Sequence, residues 1–137
     1  MTTIGYSGTP LAKKLGIKEG YSVVLAHEPK HYLQLFEDMP EVSYPVNPPN
    51  ETIDFIHLFC TKKQDFESQS LQLKPVLKMT GMLWVSWPKG SSKIETDLNR
   101  DSIREYLLKN GLVDVKVCAV DQDWSGLKFM YRIKDRK

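Results

Sequence analysis

The sequence predicts an α/β protein with a three-layer, Rossmann-like open sheet of about six strands. Three observations lead to this class. Apolar runs of strand length recur along the 137 residues, segments with helix start and stop signals separate most of them, and a polar turn joins the last two. Strands that alternate with helices form right-handed βαβ units. We therefore expect a mostly parallel sheet with helices on both faces and an antiparallel C-terminal strand.

The chain begins with a short helix and a central strand. Thr9 and Pro10 suit the start of a helix and Gly16 suits its end, so a helix is expected over residues 9–16. The apolar run at residues 21–26 is too continuous for a strand with one solvated face. We expect this first strand to be central and parallel.

A second helix and a weak strand are expected next. Pro29 suits the first turn of a helix that reaches about Met39, in which three apolar residues have helical spacing: Tyr32, Leu33 and Phe36. The second strand is predicted at residues 42–46. Pro45 has no N–H to donate, which indicates that this strand lies at an edge of the sheet.

The next two strands are predicted at the buried runs of residues 53–60 and 82–87. Between them, Thr61 and Gln64 have the spacing of a capping box, which predicts a helix that reaches about Lys78.

A last helix and a hairpin complete the predicted single domain, residues 1–137. Thr96 is expected to cap a helix over about residues 97–110, and Gly111 to end it. Strands five and six then form an antiparallel hairpin. It consists of an alternating run from Val113 to Ala119, a turn at 121–126 and a return strand at 127–133.

Composition argues against several classes of partner. The formal net charge is +2, with lysines and arginines scattered along the sequence, which is a poor footprint for nucleic acid. No apolar run approaches the ~20 residues that span a bilayer. The N-terminus lacks a secretory signal, so we expect a cytoplasmic protein without a membrane partner. Cys60 and Cys118 lack further ligands at metal-site spacing and are expected to be buried free thiols, with no metal bound.

Two passages resemble class I S-adenosylmethionine-dependent methyltransferases. They read LKMTGMLWVS at residues 77–86 and GLVDV at residues 111–115. The resemblance implies a shortened version of that fold, with one strand and one helix missing between Val46 and Ile53. It implies the spatial strand order 2-1-3-4-6-5 and a switch point between strands 1 and 3. Ligands of open α/β sheets bind beyond the carboxyl ends of the strands at such a point.

Nearly the whole chain also resembles a bacterial family of small proteins of unknown function, a DUF3052-like family. Four passages carry this resemblance: GYSGTPLAKKLGI, LWVSWPK, VDVKVCAVD and WSGLK, which begin at residues 5, 83, 113 and 124. The family resemblance implies a fold and brings no established activity with it.

The switch-point crevice supplies the candidate ligand-binding residues. His27 and Glu28 follow the first strand, Thr61 follows the third, and Trp87 and Lys89 follow the fourth. The loop that starts at Trp87 combines an aromatic ring with cations and hydroxyls, which suits a small anionic or planar ligand. A packed tryptophan in a crossover loop is the alternative interpretation.

The same crevice lacks two features of dinucleotide and S-adenosylmethionine sites, so no cofactor is expected. The segment AHEPKHY, residues 26–32, contains no glycine that would let the backbone approach an anionic group, and Pro29 removes one N–H donor. An acidic residue that would bind ribose hydroxyls is also missing after the second strand, where Val46, Asn47 and Pro48 stand.

Other side chains admit both a chemical and a structural interpretation. His27, Glu28 and His31 suit acid–base catalysis or metal binding, or else belong to a capped, solvated helix start. His57 lies within the third strand and is expected to be a core histidine bonded to a neighbour. Trp124 is expected to cover the sheet from the hairpin turn, and would be a protein-contact anchor only if it were exposed.

We therefore expect a module without catalytic activity that binds a small molecule or a protein near Trp87 and Lys89, as a monomer or a homodimer. The alternative is an enzyme with a divergent crevice, methyltransferase-like or another small-molecule transferase. It would use His27 or Glu28 as acid or base and Lys89 as an anion clamp. Nucleic-acid binding ranks third.

Overall fold

The computed structural model describes residues 10–136, which form five strands, three α-helices and three short 3₁₀ turns. The strands are β1 (Val23–Ala26), β2 (Ile53–Phe59), β3 (Leu77–Pro88), β4 (Leu112–Ala119) and β5 (Trp124–Tyr131). The helices are α1 (Leu11–Leu15), α2 (Lys63–Leu73) and α3 (Arg100–Lys109). The 3₁₀ turns are Tyr32–Leu35, Lys74–Val76 and Ile133–Asp135. Thr9, the predicted cap of the first helix, lies outside the described residues.

The strands form one mixed sheet in the order β1-β2-β3-β5-β4. β2 pairs in parallel with β1 and β3, whereas β5 pairs antiparallel with β3 and β4. The α/β class and the antiparallel C-terminal strand are therefore confirmed. Because β5 is antiparallel to the other strands, its first residues and the β4–β5 turn lie at the same end of the sheet as the carboxyl ends of β2 and β3.

The predicted second strand does not form, so the six-strand order 2-1-3-4-6-5 is wrong. Ser43 makes a single parallel bridge to Ser22, the residue that precedes β1, on the outer side of the sheet. Its N–H donates to the Tyr21 carbonyl at 2.9 Å, and its carbonyl accepts from the Val23 N–H at 2.8 Å. Pro45 then offers no N–H, and Asn47 turns with φ 51°. β1 is consequently an edge strand and not the predicted central one.

The predicted second helix is reduced to the 3₁₀ turn Tyr32–Leu35. No side chain caps this turn, and Phe36 is already extended, with φ −105° and ψ 126°. Tyr32 is buried, but Leu33 projects into solvent with 54% of its surface exposed. The helical spacing of the apolar residues therefore does not reflect an α-helix here. The packing of Tyr32 stabilises the turn, and Leu33 does not share a buried helical face with it.

The capping box predicted at Thr61 and Gln64 is also wrong. The N-cap residue of α2 is Lys62 and not Thr61, and a lysine side chain has no acceptor with which to cap a helix. The backbone N–H of Lys63 instead donates to Oδ1 of Asp97 at 2.6 Å. α2 ends at Leu73 because Pro75 lies just beyond and the chain tightens into the turn Lys74–Val76.

The cap of α3 differs from the prediction as well. Asn99, and not Thr96, is the N-cap: its side chain accepts from the Ser102 N–H at 2.8 Å, and the Ser102 hydroxyl accepts from the Asn99 N–H at 3.3 Å. Thr96 donates its hydroxyl to the Thr61 carbonyl at 2.6 Å. This bond ties the loop before α3 to the end of β2.

Apolar clusters cover both faces of the sheet. α2 and α3 pack on one face through Phe66, Ile103 and Leu107. α1 and the first 3₁₀ turn pack on the other through Leu15 and Tyr32. Burial of one such side chain stabilises the fold by roughly 1.5–3 kcal/mol. The expected three-layer arrangement is present, with short elements on the α1 face.

Candidate functional site

A buried polar chain joins the first 3₁₀ turn to β2 and β3. The Tyr32 hydroxyl lies 2.9 Å from Nδ1 of His57, and Nε2 of His57 lies 2.7 Å from the Ser86 hydroxyl. Burial lowers the pKa of His57 to about 3, so the ring is neutral and donates one of these bonds while it accepts the other. His57 is thus the core histidine that was predicted. The side chains of Tyr32, His57 and Ser86 are all buried.

The carboxyl ends of β2 and β3 are occupied by the protein itself. The Lys89 backbone N–H donates to the Asp123 carbonyl at 2.8 Å, and the Ser92 hydroxyl donates to the Asp123 carboxylate at 3.0 Å. Beside them, Asp97 occupies the start of α2, where an anionic ligand would otherwise meet free N–H groups. At two of the three strands that line the predicted crevice, hydrogen-bonding groups are therefore engaged by the protein's own aspartates.

A second contact crosses the same end of the sheet. Oδ1 of Asp121 accepts from the N–H groups of Asp123 and Trp124, both at 2.8 Å. Oδ2 of Asp121 lies 3.1 Å from Nε2 of His31. The connection that follows β1 is thereby tied to the β4–β5 turn. His31 does not join His27 and Glu28 in an acid–base group, and residues 10–136 contain no group of three side chains that could hold a metal ion.

Three of the predicted site residues contact other parts of the protein. Trp87 is buried on the α2–α3 face of the sheet, and Lys89 is held through its backbone by Asp123. Thr61 binds Thr96 through its carbonyl. In the described part of the chain, no hydrogen bond or ion pair joins His27, Glu28, Thr61, Trp87 and Lys89 to one another.

Trp124 is buried against Phe59, with ring centroids 5.0 Å apart in an edge-to-face arrangement. The exposed side chain that a protein-contact role requires is therefore absent at this position. Trp124 is instead part of the apolar cluster on the α1 face. It lies at the start of β5 and not in a turn, because the hairpin turn ends before it.

The backbone after β1 adopts the conformation that a glycine would normally supply. His27 has φ 57°, in the left-handed region. This conformation costs an L-residue with a Cβ roughly 1–2 kcal/mol. His27 and Glu28 are both exposed, so the strained turn directs two polar side chains into solvent at the carboxyl end of β1.

An open cleft of approximately 720 Å³ runs along the outer edge of β1. Its walls are β1, the first 3₁₀ turn and the segment that leaves β1 after Ser43. Leu33 and Tyr44 line it and are 54% and 48% exposed. Of the described residues that line it, Glu28 and Lys30 carry charged side chains. This volume is within the roughly 300–1,000 Å³ of ligand pockets, and a mostly apolar wall with a few polar groups is typical of them.

The edge of β1 contributes backbone groups to this β1 cleft. The Ser22 carbonyl accepts from β2, whereas the Tyr21 carbonyl and the Val23 N–H bond to Ser43 on the outer side. Since alternate residues of a strand point their backbone groups the same way, the Val23 carbonyl and the Leu25 N–H also face outward. No backbone partner for these two groups is present within residues 10–136.

Sequence reasoning missed this cleft because it placed a strand there. The sequence pattern predicts Tyr44 within that strand and Leu33 on a buried helix face. The available signal was Pro45, which prevents continued pairing to β1.

Comparison with known proteins identifies the fold. No protein-family model matches the chain, and no curated protein matches it. Solved structures do. A putative type 11 methyltransferase from Sulfolobus solfataricus is similar with a TM-score of 0.64 and 13% identity, over 93% of this chain and 92% of that one.

Two further structures have comparable similarity. A SAM-dependent methyltransferase from Aquifex aeolicus has a TM-score of 0.54 and 17% identity, over 89% of this chain and 88% of that one. The [4+2]-cyclase SpnF has a TM-score of 0.58 and 9% identity, over 97% and 89%. At such identities the likeness concerns the fold, which neighbours of different activity share. The chain has a methyltransferase-like α/β fold with a five-stranded mixed sheet.

Proposed function

We propose that the chain is a binding module without catalytic activity and that its ligand occupies the β1 cleft. The observation that supports this most directly is a contrast. Backbone N–H groups after β2 and β3 already donate to Asp97 and Asp123, whereas the Leu25 N–H beside the β1 cleft has no backbone partner within residues 10–136. The proposal moves the ligand from Trp87 and Lys89, where sequence reasoning placed it, to the outer edge of the sheet. We also propose membership of the DUF3052-like family, on the passages quoted above.

The lining of the β1 cleft favours a ligand with an apolar or planar body. Leu33 and Tyr44 offer apolar and aromatic surface, and the outward-facing Val23 carbonyl and Leu25 N–H offer one acceptor and one donor. Glu28 and Lys30 contribute opposite charges, so the cleft has no strong preference for either sign. The buried hydroxyl of Tyr32 is already bonded to His57 and is not available as an acid or base.

A thermal-shift screen tests the proposal. The compounds are S-adenosylmethionine, its demethylated product, nucleotides and acyl-CoA esters. A ligand at a hundredfold excess over its dissociation constant stabilises the folded state by about 2.7 kcal/mol. We expect a stabilising compound whose effect is lost in Tyr44→Ser.

Ile133→Ser is the matched control, because Ile133 is also an exposed apolar residue but does not line the cleft. It should keep the full shift. A shift that survives Tyr44→Ser and disappears in Lys89→Ala would show that the ligand does not bind in the β1 cleft. It would instead support the site near Trp87 and Lys89 that the sequence predicts. An absence of any shift would argue against a small-molecule ligand of these classes in the β1 cleft.

An enzyme with a divergent crevice is the second candidate. It is favoured by the likeness to methyltransferases and by the left-handed backbone at His27, which lies at the carboxyl end of β1. A direct assay of this activity measures methyl transfer from labelled S-adenosylmethionine to the members of a small-molecule library. Turnover that is lost in His27→Ala or Glu28→Ala would establish catalysis and reject the binding-only proposal.

A further inference from the structure

Three lysines that are far apart in the sequence meet on the α1 face of β4 and β5. Lys116 and Lys128 are direct neighbours across this antiparallel pair. The Lys116 ammonium donates to the Lys14 backbone carbonyl at 3.0 Å, and the Lys14 ammonium donates to the Ala119 carbonyl at 3.4 Å. Nζ of Lys128 lies 4.0 Å from the position of a Cβ built on Gly16, at the end of α1. Lys14, Lys116 and Lys128 are called the lysine cluster below.

Among residues 10–136, no ion pair joins an acidic side chain to this cluster. The acid nearest along β4, Asp114, pairs with Arg104 of α3 at 3.1 Å. A bulge between Asp114 and Lys116 separates the two residues. Like charges that face each other on neighbouring strands destabilise a sheet, so the pairing of Lys116 with Lys128 is unfavourable as it stands.

Local backbone groups compensate little of this charge. Two carbonyls accept hydrogen bonds from the cluster, but each ammonium has three donors. The C-terminus of the five-residue helix α1 supplies at most about half an elementary charge. Burial and the charge of Lys116 both lower the pKa of Lys128. The arrangement therefore has both unused donors and uncompensated charge.

We propose that the lysine cluster binds a phosphate group, either inorganic phosphate or the phosphoryl group of a small molecule. A phosphate group carries roughly two negative charges at neutral pH and accepts hydrogen bonds on several sides. Ammonium groups from three elements, α1, β4 and β5, suit such an acceptor. The site lies on the strands at the opposite edge of the sheet from the β1 cleft and does not depend on the function proposed for that cleft.

Thermal melting in sodium phosphate, compared with sodium chloride at equal ionic strength, tests the site. We expect phosphate to raise the melting temperature by roughly 5–10 °C at a hundredfold excess over its dissociation constant. The gain should vanish in the double variant Lys116→Gln/Lys128→Gln, which folds at least as well without phosphate because it removes the cross-strand repulsion. The control Lys93→Gln/Lys134→Gln alters two exposed lysines outside the cluster and should retain the gain.

Cys118 provides a second readout, because its thiol is half-buried next to Lys14 and Lys116. Burial raises the pKa of this thiol, and the two ammonium groups offset part of that rise. Bound phosphate cancels their positive potential, so alkylation by iodoacetamide should slow by roughly threefold to tenfold in the wild type. It should not slow in the double variant. Cys60 does not interfere, since burial raises its pKa to about 12.

A comparison of inorganic phosphate with glycerol 3-phosphate distinguishes the two sources. Tighter binding of the ester assigns the site to a phosphorylated small molecule, and equal or weaker binding assigns it to free phosphate. An equal gain in the double variant, or the same gain from chloride, would overturn the proposal.

Discussion

The carboxylate of Asp97 accepts a hydrogen bond from the backbone N–H of Lys63 at 2.6 Å, across 34 positions of the sequence. The loop after β3 therefore provides the cap that α2 lacks in its own sequence. The same loop is tied to the end of β2 by the bond from Thr96 to Thr61. One short segment thus both starts a helix and closes the end of the sheet.

Replacement of Asp97 by Ala should destabilise the protein by about 1 kcal/mol, because an N–H in the first turn of α2 loses its acceptor. Urea denaturation measures this loss. Asp97→Asn retains an acceptor oxygen and is the matched control, with a smaller loss expected. Equal losses for both variants would show that charge at the helix start, and not the hydrogen bond, is the stabilising factor.

Tyr32→Phe should cost about 1–3 kcal/mol, because it leaves a buried nitrogen of His57 without its partner. Tyr44→Phe removes the same hydroxyl from a half-exposed ring and should change stability by less than about 0.5 kcal/mol. Both values follow from denaturant titrations. A similar cost at the two positions would contradict the role given to the Tyr32–His57 bond.

Stability should depend on pH through His57. Its pKa is about 3 in the folded protein and about 6.5 when unfolded. Between these values the unfolded chain binds the extra proton, so the free energy of unfolding falls as the pH falls from 6.5 toward 3. The slope from this group reaches about 1.4 kcal/mol per pH unit.

Denaturation between pH 4 and 6.5 should therefore be less pH-dependent in His57→Gln than in the wild type, even though the variant is less stable overall. His27→Gln, which removes an exposed histidine, is the control. An unchanged slope in His57→Gln would mean that His57 takes up its proton without unfolding.

Gly81→Ala should destabilise the protein by more than about 2 kcal/mol. A Cβ at this position would lie 2.8 Å from the Ile53 carbonyl oxygen and 3.1 Å from that of Asp54, so β2 and β3 would have to separate. Gly90→Ala is a matched control with no atom within 4 Å of the new Cβ. It should be neutral or slightly stabilising. Melting temperatures of the two variants provide the comparison.

The features that were predictable are those encoded by contiguous apolar runs. The apolar runs that form β2 and β3 are long and buried. They were sufficient to predict the α/β class and the position of His57 in the core. Trp87 lies at the end of such a run, and its burial follows from the same pattern.

The features that were missed depend on residues far apart in the sequence. Asp97 caps a helix that starts before it, and Lys14 meets Lys116 and Lys128 only because α1 packs over β4 and β5. Local sequence patterns do not encode such long-range contacts. The failed second strand has a different cause: Val42 to Val46 have the composition of a strand, but pairing stops where Pro45 removes a donor.

The single bridge between Ser43 and Ser22, just before β1, also determines where the sheet opens. The Val23 amide is protected by its bond to Ser43, whereas the Leu25 amide, two residues on, has no such shield. In deuterated water the Leu25 amide should exchange far sooner than its neighbours in β2, and Val23 should follow once the bridge breaks. The β1 edge of the sheet can thus open locally while the helices on both faces remain folded.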